Sequence, residues 1–167
     1  MRLRATLVIA LAVLAAPSRL LVAQQSVGAD MSGTWVVNRA KSDFGVLPPP
    51  TIDSTTTTRI GAMYQIETTS DFGGQGIQHL SYKWPVGEGE ATNDLPNGAT
   101  IHTTTKIQHD TTTFSSTISV QGRTVALQTG RSFLSPDGKT LTREMEMQPL
   151  AGPSTDPMRF RLVYDRR

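Results

Sequence analysis

The sequence predicts an all-β fold, an antiparallel meander of about eight or nine strands that closes on itself into a barrel. Three observations point there. Beyond residue 50, Thr, Ser, Val and Ile fill short alternating runs that carry no helical period. Gly, Pro, Asn-Gly and Asp-Gly punctuate those runs and supply the backbone angles that tight turns need. The connections are mostly short, so runs adjacent in sequence must lie side by side and antiparallel. A meander of this length has two edges to hide, and closure removes them more completely than the alternative, a two-sheet β-sandwich.

Taken in order, Gly33 to Asn38 is the first strand, with Trp35 and Val37 on one face. AKSDFG after it is a turn or a single helical turn. The prolines of LPPP, residues 47–50, cannot donate to a ladder, so the stretch is a spacer. Ile52 to Ile60, Ala62 to Thr69 and Ile77 to Trp84 follow, the last two joined by DFGGQG. PVGEGEATNDLPNG has acids and glycines without apolar alternation, and reads as a long mobile connection over 85–99. Five more runs complete the chain: Thr100 to Gln108, Thr113 to Val120, Thr124 to Leu134, Lys139 to Met147 and Met158 to Tyr164. Asp137-Gly138 is the strongest hairpin signal among their connections.

The first residues stand apart. Arg2 and Arg4 precede an apolar run from Ala5 to Ala16 in which only Thr6 is polar, and Pro17, Ser18 and Arg19 interrupt it. That is the pattern of a secretory signal peptide, expected over 1–24 with the cut near Ala23, and the run is too short for a membrane span of roughly 20 residues. The expectation is an exported protein, periplasmic or extracellular in a bacterium, with one domain over 25–167 and no transmembrane anchor after cleavage. Without Arg2, Arg4 and Arg19, 13 basic residues face 14 acidic ones. A near-neutral domain gives no electrostatic case for nucleic acid. With no cysteine, neither disulfides nor thiolate metal sites are available, so burial must hold the fold.

No Gly-x-Ser-x-Gly elbow, His-Glu-x-x-His or Walker loop is present, and GGQG at 73–76 precedes no helix, so the chain reads as non-enzymatic with no cofactor. His79, His102 and His109 match no ligand spacing, which argues against a metal. The Thr runs at 55–58, 103–105 and 111–113 are explained by β propensity on solvated faces.

Gly33-Thr34-Trp35 opening the first strand, DGKTLT before the penultimate strand and a terminal VYDRR together resemble the calycin group, the lipocalins and fatty-acid-binding proteins. More narrowly, SGTWVVNRAKSDFG with DGKTLT and VYDRR resembles an uncharacterised set of secreted bacterial lipocalin-like proteins, over most of residues 30–167. In lipocalins the Trp of Gly-x-Trp packs across the closed end of the barrel against a basic side chain of the last strand. The resemblance therefore implies a plug of Gly33, Trp35 and either Arg159 or Arg161, with the polar turn after it carrying the chain over the barrel end. No second or third lipocalin motif is evident.

For such a barrel, period-two alternation gives the inward faces. They comprise Tyr64 and Ile66; Leu80, Tyr82 and Trp84; Ile101, Thr103, Thr105 and Ile107; Phe114, Ser116, Ile118 and Val120. The remaining runs add Val125, Leu127, Thr129, Arg131 and Phe133; Leu141, Arg143, Met145 and Met147; Phe160, Leu162 and Tyr164. Apolar groups mixed with hydroxyls suit a cavity lining better than a dry core. The expected ligand is a small apolar or amphipathic molecule bordered by Tyr64, Tyr82, Trp84, Phe114, Phe133 and Tyr164. Arg131 and Arg143 hold its acidic head, as interior arginines do in fatty-acid-binding proteins. The competing reading is that a bulge flips the phase, or that these arginines pair with Glu144, Glu146 or Glu67. An interior lacking a cavity of roughly 300 Å³ would count against such a ligand. The alternative function is an envelope interaction module that presents the 85–99 segment to a protein partner.

Overall fold

The computed structural model describes residues 29–72, 76–152 and 154–167. The expected signal peptide over 1–24 lies outside the described residues, as do Gly73, Gly74 and Gln75 of the glycine-rich turn. Ten strands and no helix make up the described chain: β1 (Gly33–Val37), β2 (Pro50–Ile60), β3 (Met63–Phe72), β4 (Gln78–Pro85), β5 (Gly89–Asp94), β6 (Ala99–Gln108), β7 (Thr111–Val120), β8 (Arg123–Leu134), β9 (Thr140–Pro149) and β10 (Met158–Arg166). They form one antiparallel sheet in the order β4-β3-β2-β1-β10-β9-β8-β7-β6-β5. The two terminal strands meet, with Trp35 opposite Arg166 and Val37 opposite Tyr164, so the meander curls into a nearly closed barrel.

What stays open is the seam between β4 and β5, the two ends of that order. A single side chain bridges it. The Asn93 carboxamide accepts from the Lys83 backbone N–H at 2.7 Å and donates to the Lys83 carbonyl at 2.9 Å. It replaces one rung of a ladder that the backbones do not make, which blunts two otherwise exposed sheet edges.

The turn chemistry explains the hairpins. Gln121 and Gly122 both have positive φ, 50° and 75°, the twist that a two-residue hairpin needs. At SPDG only Gly138 is left-handed, and its N–H bonds to the Ser135 carbonyl at 2.8 Å. That is a four-residue turn with Pro136 in its favoured second position, so Asp137-Gly138 is part of a longer connection than a bare two-residue hairpin.

Three expectations are corrected. First, the 85–99 segment is not one long loop: β5 lies within it and pairs with β6, Ala91 opposite Thr103. Ala91 is its sole apolar side chain, so a polar strand carried no alternation to read. Second, Pro50 heads β2 beside a register shift between Pro50 and Ile52, a position where a missing N–H is tolerated. Third, the segment after β1 does not cross the barrel end. It follows β10, Asn38 N–H bonding to the Val163 carbonyl at 2.7 Å and Asp43 pairing with Arg161 in both directions.

The largest correction concerns β8. A bulge lies where β7 residues Ile118 and Ser119 meet β8, so Ser119 pairs with Thr124 but Ile118 pairs with Ala126, skipping Val125. One extra residue inverts the face of everything beyond it. Ala126, Gln128, Gly130 and Ser132 therefore turn inward, opposite Ile118, Ser116, Phe114 and Arg143. Leu127, Arg131 and Phe133 turn outward. Small inward residues have a use: a Cβ on Gly130 would lie 2.6 Å from Phe114 Cζ and 2.3 Å from the Glu144 carbonyl oxygen. Only glycine lets the Phe114 ring lie on the wall.

Candidate functional site

The interior has two differently built regions. At one end, the segment before β1 caps the barrel. Trp35 is fully buried, its Nε1 donates to the Met31 carbonyl at 3.0 Å, and the Arg166 guanidinium lies 4.4 Å from its ring centre. The Met31 N–H in turn bonds to the Tyr64 hydroxyl at 3.1 Å, which donates to Asp30 at 3.2 Å. Among the described residues no buried side-chain polar atom of this cap is left without a partner. The stack on Trp35 comes from the last strand, as the resemblance implied, but from Arg166. Arg159 and Arg161 are on the outer face, paired with Glu146 and Glu144. Phe160, Leu162 and Tyr164 share inward parity with Arg166, so the alternation of β10 itself selects the right arginine.

The second region surrounds an interior cavity of about 190 Å³. Leu80, Tyr82 and Trp84 of β4, Phe114 of β7, and Arg143 and Met145 of β9 form much of its wall, and Ser116 and Gln128 add polar atoms. Trp84 and Phe114 meet edge to face, with ring centres 5.0 Å apart. The Arg143 guanidinium lies over the Trp84 ring at 5.6 Å, an attraction that stabilises a cation out of water. Its Nε reaches Ser132 Oγ at 3.4 Å, a long hydrogen bond. Among the described residues no carboxylate lies within ion-pair distance of it, and Trp84 Nε1 is buried without a partner.

Asp53 of β2 is the counter-charge. It is buried, its Oδ2 accepts from the Tyr164 hydroxyl at 3.4 Å, and its Oδ1 has no partner among the described residues. Burial pushes the Asp53 carboxyl up to about 6, against the opposing pull of Arg143 and the Tyr164 hydroxyl. Burial, then the charge of Asp53, pushes the Tyr164 phenol up as well. Burial by itself would loosen the proton of Arg143, but Tyr82, Tyr164 and Asp53 outweigh it and hold the guanidinium above its ordinary range. Arg143 is a fixed interior cation.

Of the residues expected to form a ligand site, Tyr82, Trp84, Phe114 and Arg143 come together on the cavity. Tyr164 lies behind Arg143 against Asp53, and Tyr64 belongs to the Trp35 cap. Arg131 and Phe133 are corrected: both face outward, the guanidinium 5.8 Å from the Phe133 ring and 2.6 Å from Glu144. An even-length connection between β8 and β9 pairs odd residues with even ones, as in Leu134 with Leu141, so Arg131 and Arg143 cannot share a face. The outer wall there carries an open depression of about 620 Å³. Its arginines pair with Glu144 and Glu146 on the same wall, so among the described residues it offers no free cation, and Asp43 is its unpaired charge. Asp53 was missed because it precedes a run of four threonines that hides the alternation of its strand.

A nearly closed antiparallel barrel with a partly open cavity on its inner wall is the class of molecule that fold and site define. No protein-family model matches the sequence, and no curated protein does either. Among solved structures, the crystal structure of Rv2717c from M. tuberculosis superposes with a TM-score of 0.53 at 14% identity, over 81% of this chain and 92% of that one. At that identity the likeness is one of fold.

Proposed function

We propose that the protein is an exported, non-enzymatic, lipocalin-like barrel that binds one small amphipathic molecule in its interior cavity. The observation that carries this reading is a partly open cavity of about 190 Å³ bordered by an arginine with no ion-pair partner and by an indole whose buried N–H is unpaired, among the described residues. Buried donors without acceptors are costly, by about 1–3 kcal/mol each, and an acceptor on a ligand would relieve that cost. Leu80, Ile101, Phe114 and Met145 would face its apolar part, and Arg143 with Trp84 Nε1 its acceptor end. The leader pattern over 1–24 supports export.

Size narrows the ligand. The cavity falls short of the roughly 300 Å³ named above, which counts against a drug-sized or larger ligand, and it offers room for about six waters at about 30 Å³ each. A benzoate-sized molecule fits; an extended fatty acid does not. Native mass spectrometry of protein purified from its own host tests the reading. A small-molecule adduct that disappears in Arg143→Met is expected. No adduct, together with a melting temperature unmoved by a panel of small aromatic and short-chain acids and alcohols, would contradict it.

A further inference from the structure

We propose that the interior site takes up a small organic anion together with one proton, and that the proton goes to Asp53. The inference rests on the cavity reading above and adds the stoichiometry of charge. Arg143 lines the cavity from β9, and the buried Asp53 of β2 lies behind the cavity wall, where it borders a separate depression with the exposed Arg39 and Arg167. Empty, the pair sums to zero. An anion entering beside Arg143 would leave one uncompensated negative charge in a low-dielectric interior, and such a charge is expelled or neutralised. Asp53 is the group able to do so. Its Oδ1 lacks a partner among the described residues, so a proton there leaves no existing bond broken, and Oδ2 keeps the Tyr164 hydroxyl.

The surroundings leave no competing site for that proton. Asp53 is faced by Arg143 from β9, by Tyr164 from β10 and, beyond them, by Tyr82 from β4. On β3 its ladder partner is Ser70, and the neighbouring Asp71 lies on the opposite face, where its Oδ2 accepts from Thr51 and its Oδ1 is buried without a partner among the described residues. β1 ends beside it at Val37. Arg143 stays charged throughout, and burial with the charge of Asp53 pushes the Tyr164 phenol up, so Tyr164 keeps its proton. Burial already brings the Asp53 carboxyl to about 6 in the empty protein. A bound anion adds negative charge nearby and raises it further, so the bound state holds the proton at neutral pH and the empty state does not. By linkage, affinity for the anion is greatest below about pH 6 and falls as pH rises.

The test uses the full protein and two probes of one size, benzoate and benzyl alcohol, titrated calorimetrically in buffers of different ionisation enthalpy. Expected is proton uptake on benzoate binding near neutral pH, approaching one per site, and affinity that falls about tenfold from about pH 6 to about pH 8. Benzyl alcohol should bind with neither effect. Asp53→Asn should bind benzoate with no proton uptake and no pH dependence. The wild-type uptake alone decides the matter if that variant does not fold. Benzoate binding without uptake and with pH-independent affinity overturns the proposal. So does binding of the alcohol alone, which spares the cavity reading; failure of both probes removes the cavity reading and this one with it.

Discussion

Both tryptophans of the chain stack against an arginine inside the same barrel, yet the two pairs are built to different ends. Trp35 is sealed, its N–H is bonded to the Met31 carbonyl, and Arg166 covers it from the rim of the last strand. Trp84 borders a cavity, its N–H has no partner among the described residues, and its arginine is part-buried with a buried aspartate behind it. The first arrangement closes a barrel. The second leaves an indole N–H unpaired and a guanidinium outside any ion pair among the described residues. The same residue types therefore say little until the partners of each polar atom are counted.

Truncation separates the pairs most strongly. Trp35→Ala should cost about 3–5 kcal/mol, measured by urea unfolding, because a fully buried indole with a satisfied N–H leaves a void that the cap cannot fill. Trp84→Ala should cost less, since its side already borders a cavity. Equal losses would erase the distinction.

The buried aspartate gives the second test. Asp53 has a folded pKa raised from 3.8 to about 6, so the folded state binds more protons than the unfolded state across that window. Stability is then greatest below the lower value and declines as pH rises through the higher one, by about 2–3 kcal/mol. The slope of unfolding free energy between about pH 4 and pH 6.5 should be flatter in Asp53→Asn than in wild type by that amount. A wild-type slope that the substitution leaves unchanged would place the perturbed carboxyl elsewhere.

A gentler change sharpens the same contrast. Trp35→Phe removes a made hydrogen bond and should cost about 1–2 kcal/mol, whereas Trp84→Phe removes an unpaired donor and should stay within about 1 kcal/mol of wild type. On the outer wall, Arg131→Ala breaks an exposed pair with Glu144 and should change stability by no more than about 1 kcal/mol, with no effect on ligand affinity. Loss of binding in that variant would move the site to the outer face.

Nine of the ten strands were legible because alternation and turn residues agreed: the runs around Tyr64, Trp84, Thr103 and Leu141 all present the expected faces. β5 was not, because a strand with Ala91 as its sole apolar side chain has no hydrophobic period. The face of β8 was misread for a different reason. Val125, Leu127 and Phe133 alternate as a core strand would, but the bulge skipping Val125 inverts the rest, and a bulge of one residue leaves no mark in hydrophobicity. The plug arginine was recoverable from parity, since Arg166 keeps step with Tyr164 and Arg159 does not. Within the site, Arg143 and its aromatic neighbours could be read from alternation alone. Asp53 could not, because its role depends on an arginine ninety residues away in sequence and adjacent only once the barrel closes.

Two indole N–H signals make the central claim directly observable by proton–nitrogen NMR of the isotope-labelled protein during a titration with benzoate. The Trp84 signal should shift as its unpaired N–H gains an acceptor, while that of Trp35, already bonded to Met31, stays fixed. A titration that moves Trp35 and leaves Trp84 untouched, or moves neither, would contradict an interior ligand site at Arg143.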